Sequence, residues 1–269
     1  MKYTILKYGM LAGALLFGGC SNWLDVDPKS QVKQEALFES EAGFQDALTG
    51  IYTMMARTGM YGGHETMGFL DMVAQTYTEV IYTYEDVLKY NYEETNSKAC
   101  IDGFWEGNYS AIANCNQILA HVDERKGVFS SGVYEAVKAE TLALRAFLHF
   151  DLLRGFAFSY VTGKDELAIP YVDKVTNKPV AQSTVAEVLE RIITEAEEAR
   201  KLIREVDPLG PAYDTYTESG YKSEDFIQGG GFWLYRKSKL NYYGITAFLA
   251  RVYLYKGCLL YTSPSPRDA

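Results

Sequence analysis

The stretch that decides the fold is residues 134–158, which read YEAVKAETLALRAFLHFDLLRGFAF. Its large apolar residues recur at helical spacing, at Leu142, Phe147, Phe150 and Leu153. This pattern predicts one long helix from Tyr134 to Phe158. Small residues lie on the same helix at Ala139, Ala143 and Ala146. Small side chains let a neighbouring helix approach closely, so the stretch predicts a mainly α fold of paired helices.

The same periodicity predicts four further helices along the chain. They are EAGFQDALTGIYTMMA at 41–56 with Ser40 as N-cap, FWEGNYSAIANCNQILAHVD at 104–123, TVAEVLERIITEAEEARKLI at 184–203 and KLNYYGITAFLARVYLYKG at 239–257. A weak helix around Phe69–Glu79 and an extended segment, AIPYV at 168–172, are also predicted. The Ala-x₃-Phe and Ala-x₃-Leu spacings are similar to those of tetratricopeptide units, without their strict period. We therefore expect a tetratricopeptide-like scaffold of helical hairpins with two long, irregular, tyrosine-rich loops.

The composition is that of a folded and acidic protein. Hydrophobic residues make up 48% of the 269 positions and charged residues 23%, which argues against disorder. Asp and Glu outnumber Lys and Arg by 35 to 26, so a nucleic-acid partner is excluded, because phosphate binding needs a cationic face. The 22 tyrosines are the marked excess. A tyrosine ring is apolar with a polar tip and suits wet binding surfaces, although we expect most of these rings to lie in the core.

The N-terminus has the pattern of a lipoprotein signal peptide. Lys2 and Lys7 precede the apolar run YGMLAGALLFGG at 8–19, which is too short to span a bilayer. Gly18 and Gly19 place small side chains directly before Cys20, and this junction resembles the lipobox of bacterial lipoproteins. We interpret residues 1–19 as the signal peptide and Cys20 as the lipidation site that anchors the protein to a membrane. The alternative is an ordinary signal peptide with an incidental cysteine.

The last residues of the chain do not have the pattern expected of native protein sequence. Residues 258–269, CLLYTSPSPRDA, correspond to one reading frame of a transposase sequencing adapter. We interpret them as translated adapter rather than native sequence, the alternative being a natural Pro/Ser tail. Residues 20–257 are then a partial helical domain, and we expect its C-terminal half to be missing.

The cysteines and histidines predict no metal site and no cofactor. Cys100 and Cys115 either pair in an oxidising compartment or remain as two buried free thiols. The sequence has no CxxC motif and no histidine cluster. Among the histidines, His149 lies within the strongest helix, and we interpret it as an interior residue rather than a catalytic base.

Several segments together resemble one protein family. They are CSNWLDVDPKSQ at 20–31, FESEAGFQDALTGIYTMM at 38–55, FWEGNYSAIANCNQIL at 104–119, the long central helix through AIPYV, and the last helix. This combination resembles the SusD/RagB-like outer-membrane nutrient-binding lipoproteins of Bacteroidota over residues 20–257, most specifically from Leu144 to Pro170. The resemblance implies a lipid-anchored protein on the extracellular side of the outer membrane. It also implies a SusC-like TonB-dependent transporter as partner, and an oligosaccharide or peptide ligand.

Neutral sugars bind by stacking on aromatic rings with polar groups alongside, and two loops offer such residues. The first set of candidate ligand-binding residues is Tyr82, Tyr84, Tyr90 and Tyr92, with Asn91 and Asn96 as polar partners. The second set is Tyr213, Tyr216, Tyr221 and Trp233. Each ring taken singly could instead be a packing residue. Trp105 and Tyr109 lie on a helical stripe, and we assign them to the core.

Two other functions stay open as alternatives. A lipid-anchored glycosidase needs two opposed carboxylates, and none of Asp71, Glu79, Glu85 and Asp86 forms an evident pair. The sequence has no G-x-S-x-G, H-E-x-x-H or P-loop motif, so we expect a binding protein without catalytic residues rather than an enzyme. The other alternative is a periplasmic helical-repeat adaptor lipoprotein that binds protein or peptide.

Overall fold

The computed structural model describes residues 36–79, 84–211 and 231–257. The chain divides into two units, Met1–Leu37 and Phe38–Ala269, and every element named below lies in the second. Within the described ranges the helices are α1 (Glu41–Met55), α2 (Phe69–Val73), α3 (Glu85–Leu88), α4 (Thr95–Val122), α5 (Val133–Phe156), α6 (Tyr160–Gly163), α7 (Val185–Ile203) and α8 (Tyr242–Tyr255). Short 3₁₀ turns lie at Lys126–Val128 and Arg236–Ser238. The strands are β1 (Leu167–Pro170) and β2 (Gln182–Thr184). The mainly α prediction is confirmed.

Side-chain caps fix the first turns of three of these helices. Ser40 accepts a hydrogen bond from the Gly43 amide, as its predicted N-cap role requires. Thr184 and Glu187 form a reciprocal capping box at the start of α7. Asn241 caps α8 by accepting from the Gly244 amide at 2.9 Å. Each cap satisfies an amide that the helix itself leaves without a partner.

The long helices pack in antiparallel pairs. The start of α5 meets the end of α4, where Lys138 Nζ lies 2.9 Å from Asp123 Oδ1. The end of α5 meets the start of α4, where the rings of Phe104 and Phe156 lie 5.2 Å apart. Tyr253 of α8 and Lys256, directly after its end, contact α7 at Glu197 and Glu190 respectively, so that pair also runs antiparallel. These are the predicted helical hairpins.

Helix α5 is the centre of the packing. Seventeen of its 24 residues are buried, including Ala136, Ala139, Ala143 and Ala146. It contacts α1, α4, α7, α8 and β1, and the alanines allow these neighbours to approach. By contrast α7 buries one face, which carries Val188, Leu189, Ile192 and Ala196, and exposes the other. Helix α5, buried on nearly all sides, thus lies in the interior, whereas α7, which buries one face, lies at the surface.

A short antiparallel hairpin covers one side of the bundle. Strand β1 pairs with β2 in the register Leu167 to Thr184 and Pro170 to Gln182, with an irregularity between them. Ala168 and Ile169 face the core, and the predicted extended segment is thereby confirmed. Because β2 ends at the N-cap of α7, the hairpin also sets the position where α7 begins.

A second, smaller core supports the first tyrosine-rich loop. It consists of Phe69, Met72, Val87, Cys100 and Phe104. Cys100 and Cys115 are both free and buried, and they lie on the same helix about 22 Å apart at the α-helical rise. This separation decides between the two readings of these cysteines, because no disulfide can span it.

The predicted weak helix at Phe69–Glu79 is wrong in its extent. Helix α2 ends at Val73, and Gln75 follows in the left-handed region with φ 57°. A non-glycine residue in that region cannot continue a right-handed helix. Across the described part of the chain, no helix combines the length and the apolar character that crossing a bilayer demands.

Candidate functional site

The loop between α2 and α4 exposes two tyrosine rings side by side. Tyr90 is 51% exposed and Tyr92 is 40% exposed. Their ring centroids lie 6.3 Å apart at an interplanar angle of 67°, an edge-to-face arrangement. The loop therefore presents an aromatic surface to solvent, and both rings belong to the first set of candidate residues.

Hydrogen bonds fasten this loop to the body of the protein. Gln75 Nε2 donates to the Leu88 carbonyl at 2.8 Å, and Tyr90 Oη donates to the Val73 carbonyl at 3.2 Å. Val87 of α3 is fully buried in the second core. The two exposed rings are thus held on a fixed platform, which lowers the ordering cost of binding a ligand.

The other described members of the first set differ in exposure. Tyr84 is partly buried against the second core and meets the His64 ring edge-on at 5.8 Å, so it supports the loop from below. Asn91 is exposed between the two tyrosines. Asn96 is partly buried in the first turn of α4. The loop therefore brings Tyr90, Asn91 and Tyr92 together at the surface.

Trp233 of the second set is a core residue. It is 5% exposed and packs edge-on against Phe232, with ring centroids 5.1 Å apart. The Arg236 guanidinium lies 5.7 Å from its ring centroid. The prediction that Trp233 offers its ring to a ligand does not agree with this burial, because a stacking residue needs an open face. Outside the described residues lie Cys20, Tyr82, Tyr213, Tyr216 and Tyr221.

Arg236 is the centre of a buried ion-pair cluster beside Trp233. Its guanidinium donates to Glu140 of α5 and to Asp207 Oδ2, the latter at 3.1 Å. Tyr52 Oη donates to the other Glu140 oxygen at 2.8 Å. Asp207 Oδ2 also accepts from the Tyr242 amide at the start of α8. Arg236 therefore joins α5, the end of α7 and the start of α8 in one place.

A second buried polar cluster lies under the turn that follows α1. Glu65 accepts a hydrogen bond from Asn108 Nδ2 at 2.9 Å, and Tyr61 Oη donates to Asp151 Oδ2 at 2.8 Å. Arg154 and Arg251 both donate to Asp151 Oδ1. Burial raises the pKa of the Glu65 carboxyl to about 7, and the Asn108 hydrogen bond opposes this rise. A carboxyl with such a pKa could serve acid–base chemistry, but Glu65 is only 7% exposed and faces packed side chains.

His149 is an interior residue, as predicted. It is fully buried, and its ring stacks on Tyr171 with centroids 3.9 Å apart. The Val172 amide donates to Nε2, so Nδ1 carries the proton and donates to the Arg145 carbonyl at 2.9 Å. Burial lowers the pKa of His149 to about 3. The imidazole is therefore neutral and structural.

Two features of the described residues bear on other kinds of site. A cavity of about 540 Å³ opens between α7 and α8, and it is lined by Glu197, Glu198, Arg200, Lys201, Arg204 and Tyr242. Its walls are mostly charged, and Arg200 pairs with Glu197 across 2.5 Å, so it differs from the apolar and aromatic pockets typical of small ligands. Over the same ranges, no group of three His, Cys, Asp or Glu side chains is arranged to hold a metal ion.

Comparison with known sequences gives one family and distant relatives. Residues 22–208 match the family model SusD-like_3, described as "Starch-binding associating with outer membrane". SusD-like protein P2 of Formosa agariphila is 23% identical over 244 residues, which is 86% of this chain and 44% of that protein. SusD-like protein P25 of the same organism is 24% identical over 144 residues, which is 50% of this chain and 27% of that protein. The chain thus spans less than half the length of these relatives.

Comparison with solved structures gives the same architecture. A putative sugar binding protein from Bacteroides vulgatus superposes with a TM-score of 0.60 at 22% identity, covering 83% of this chain and 44% of that one. A SusD superfamily protein from Bacteroides thetaiotaomicron superposes with a TM-score of 0.61 at 20% identity, again covering 83% and 44%. At these identities the likeness shows the fold.

Proposed function

This chain belongs to the SusD-like family, and from that premise we propose that it captures oligosaccharides at the cell surface and passes them to a transporter. The observation that carries the binding step is the exposed, edge-to-face pair Tyr90 and Tyr92 on a fastened loop. Two rings at an angle offer faces to different sides of a sugar chain, and Asn91 between them supplies an amide for its hydroxyl groups.

The proposal of a lipid anchor rests on the N-terminal sequence, where Gly18 and Gly19 precede Cys20. Acyl chains on Cys20 would attach the mature protein to a membrane, since each buried methylene contributes about 0.8 kcal/mol. The family description, which associates its members with the outer membrane, supports this membrane as the site of anchoring. We propose that the helical body faces the extracellular side, where it meets its ligand.

The proposed partner is a SusC-like TonB-dependent outer-membrane transporter. An anchored protein that binds but does not transport needs a channel to receive the ligand, and the family resemblance names this class of channel. Co-purification of the transporter with the anchored protein from membranes solubilised in mild detergent tests the partnership. Recovery of the protein without any transporter would argue against it.

The binding step is tested by affinity electrophoresis in gels that contain starch or other neutral polysaccharides. We expect Tyr90→Ala and Tyr92→Ala each to weaken retention about tenfold, because an aromatic anchor commonly contributes more than 1 kcal/mol. Tyr243→Ala is the matched control, since Tyr243 is 59% exposed but lies on α8. Unchanged retention of both loop variants would refute the assignment of this loop.

We propose a binding protein rather than an enzyme. Glu65 and Asp151 are two carboxyl groups that influence each other electrostatically, and both are buried in packing contacts. Incubation of the purified protein with the polysaccharide that it retains should release no reducing sugar. Release that disappears in Glu65→Gln would instead establish a hydrolase.

A further inference from the structure

Three described non-glycine residues have a left-handed backbone, and two of them are exposed tyrosines. Gln75, Tyr90 and Tyr235 have φ values of 57°, 56° and 60°. This region is unfavourable for residues with a Cβ, and it persists only where the surroundings impose it. Unusual backbone of this kind concentrates at functional sites, so each of the three requires an explanation.

Gln75 has a structural explanation. Its side-chain amide donates to the Leu88 and Met72 carbonyls, at 2.8 Å and 3.3 Å, and so ties two parts of the loop together. Tyr90 belongs to the ring pair already described. The side chain of Tyr235 is 81% exposed, so packing does not explain why this position holds a tyrosine.

The residues around Tyr235 hold its backbone firmly. Trp233, two residues before Tyr235, and Arg236, directly after it, are 5% and 1% exposed, and Arg236 is fixed by its ion pairs to Glu140 and Asp207. The Tyr235 carbonyl accepts hydrogen bonds from the Ser238 amide and hydroxyl, at 2.9 Å and 2.8 Å. The backbone of Tyr235 is therefore held in place by these hydrogen bonds and by the buried residues near it, whereas its ring projects into solvent.

We infer that Tyr235 is a second ligand-contact residue, whose ring takes the apolar face of a neutral sugar. This inference rests on the proposed glycan-binding function and adds a residue that the sequence patterns did not single out. A ring on a preset backbone loses little freedom on binding, so it can contribute affinity at low entropic cost. In this part of the chain we assign ligand contact to Tyr235 rather than to Trp233, because the Trp233 ring is buried.

Tyr235 is separate from the Tyr90 and Tyr92 pair. Arg236 binds α5 at Glu140, whereas the second core under the tyrosine pair meets α5 at Phe156. These two positions lie about 24 Å apart along α5 at the α-helical rise. The two contacts therefore serve different sugar units of a long polymer, and their contributions should combine by avidity.

The test uses three variants of the full chain in affinity gels with the polysaccharide that the wild type retains. Asparagine tolerates the left-handed region, so Tyr235→Asn removes the ring without straining the backbone. We expect retention to weaken about fivefold in Tyr235→Asn and to stay at the wild-type level in Tyr235→Phe. The melting temperature of Tyr235→Asn should equal or exceed that of the wild type. Tyr243→Asn is the matched control, and it should retain wild-type binding.

Each other outcome has a definite meaning. Wild-type retention by Tyr235→Asn, alongside loss in the Tyr90 and Tyr92 variants, would overturn this inference and leave the proposed function standing. A marked drop in the melting temperature of Tyr235→Asn would also overturn it, because the ring would then be a packing residue. A wild-type protein retained by no polysaccharide would refute the proposed function itself.

Discussion

At the scale of single residues, α5 combines charge with burial. Glu140, Arg145 and Asp151 are all buried, and each faces a different neighbour. Glu140 meets Arg236, Arg145 meets Glu195 of α7 at 2.7 Å, and Asp151 meets Arg154 and Arg251. Because removal of one partner leaves an unpaired buried charge, these pairs fix which surfaces of α5 its neighbours occupy.

His149 makes stability depend on pH, and the sign of the effect follows from its burial. The unfolded imidazole binds a proton below its ordinary pKa of 6.5, whereas the folded imidazole does so only near 3. The stabilisation that it contributes is therefore complete above pH 6.5 and is lost as the pH falls toward 3. In urea titrations, the wild-type free energy of unfolding minus that of His149→Gln should rise by about 1.4 kcal/mol per pH unit between pH 4 and 6.

Glu65→Gln provides the contrasting control for this measurement. The pKa of Glu65 is raised from 4.5 to about 7, so its contribution is present below pH 4.5 and is lost as the pH rises through 7. The wild-type free energy of unfolding minus that of Glu65→Gln should therefore fall with increasing pH. A flat difference for His149→Gln would show that the imidazole is reached by solvent and titrates normally.

At the scale of elements, the helices with a clear apolar stripe or cap could be predicted from the sequence. The predicted Tyr134–Phe158 helix is found at Val133–Phe156, and the one predicted to begin with Thr184 as initiator has its capping box there. Helix α4 begins at Thr95, nine residues before the predicted segment. Its first turns are polar, and only Ser97 and Cys100 are buried among residues 95–100, so no apolar stripe predicted this part of the helix.

The capping box of α7 should contribute measurably to stability. Thr184→Ala removes the acceptor for the Glu187 amide and leaves that donor without its partner in the first turn. We expect a loss of about 1 kcal/mol in the free energy of unfolding, measured by urea titration. Thr194→Ala on the same helix is the control, because Thr194 is exposed in the helix interior, where alanine is favoured. An equal loss in both variants would mean that the cap adds nothing.

At the scale of the whole molecule, the candidate site could be predicted less well than the fold. The fold class could be predicted from the spacing of apolar residues, which can be read directly from each local stretch of sequence. The exposure of an aromatic ring depends on which elements cover it, so the sequence could not separate exposed Tyr90 from buried Trp233. Tyr235 was missed because a left-handed backbone at a tyrosine has no residue signature, unlike one at a glycine.

The anchor is a prediction about the molecule as a whole. Cells that express the wild type and are grown with radiolabelled palmitate should show label on the protein and the protein in the membrane fraction. Cys20→Ser should carry no label and should leave the membrane fraction. Cys100→Ser is the control and should be labelled like the wild type, because Cys100 is a buried thiol of the second core. Label that persists in Cys20→Ser would refute the lipidation site.

The ion pair between Asp207 and Arg236 has an evolutionary consequence. Asp207 and Arg236 lie on either side of residues 212–230, which the structure does not describe, and their side chains meet at 3.1 Å inside the protein. Asp207 before this interval is thus paired with Arg236 after it, and Arg236 is also paired with Glu140 of α5. Doubling the length of such an insert would cost only about 0.6 kcal/mol in closure entropy. We therefore expect related sequences to differ in length between Asp207 and Arg236 while they keep the same helical frame.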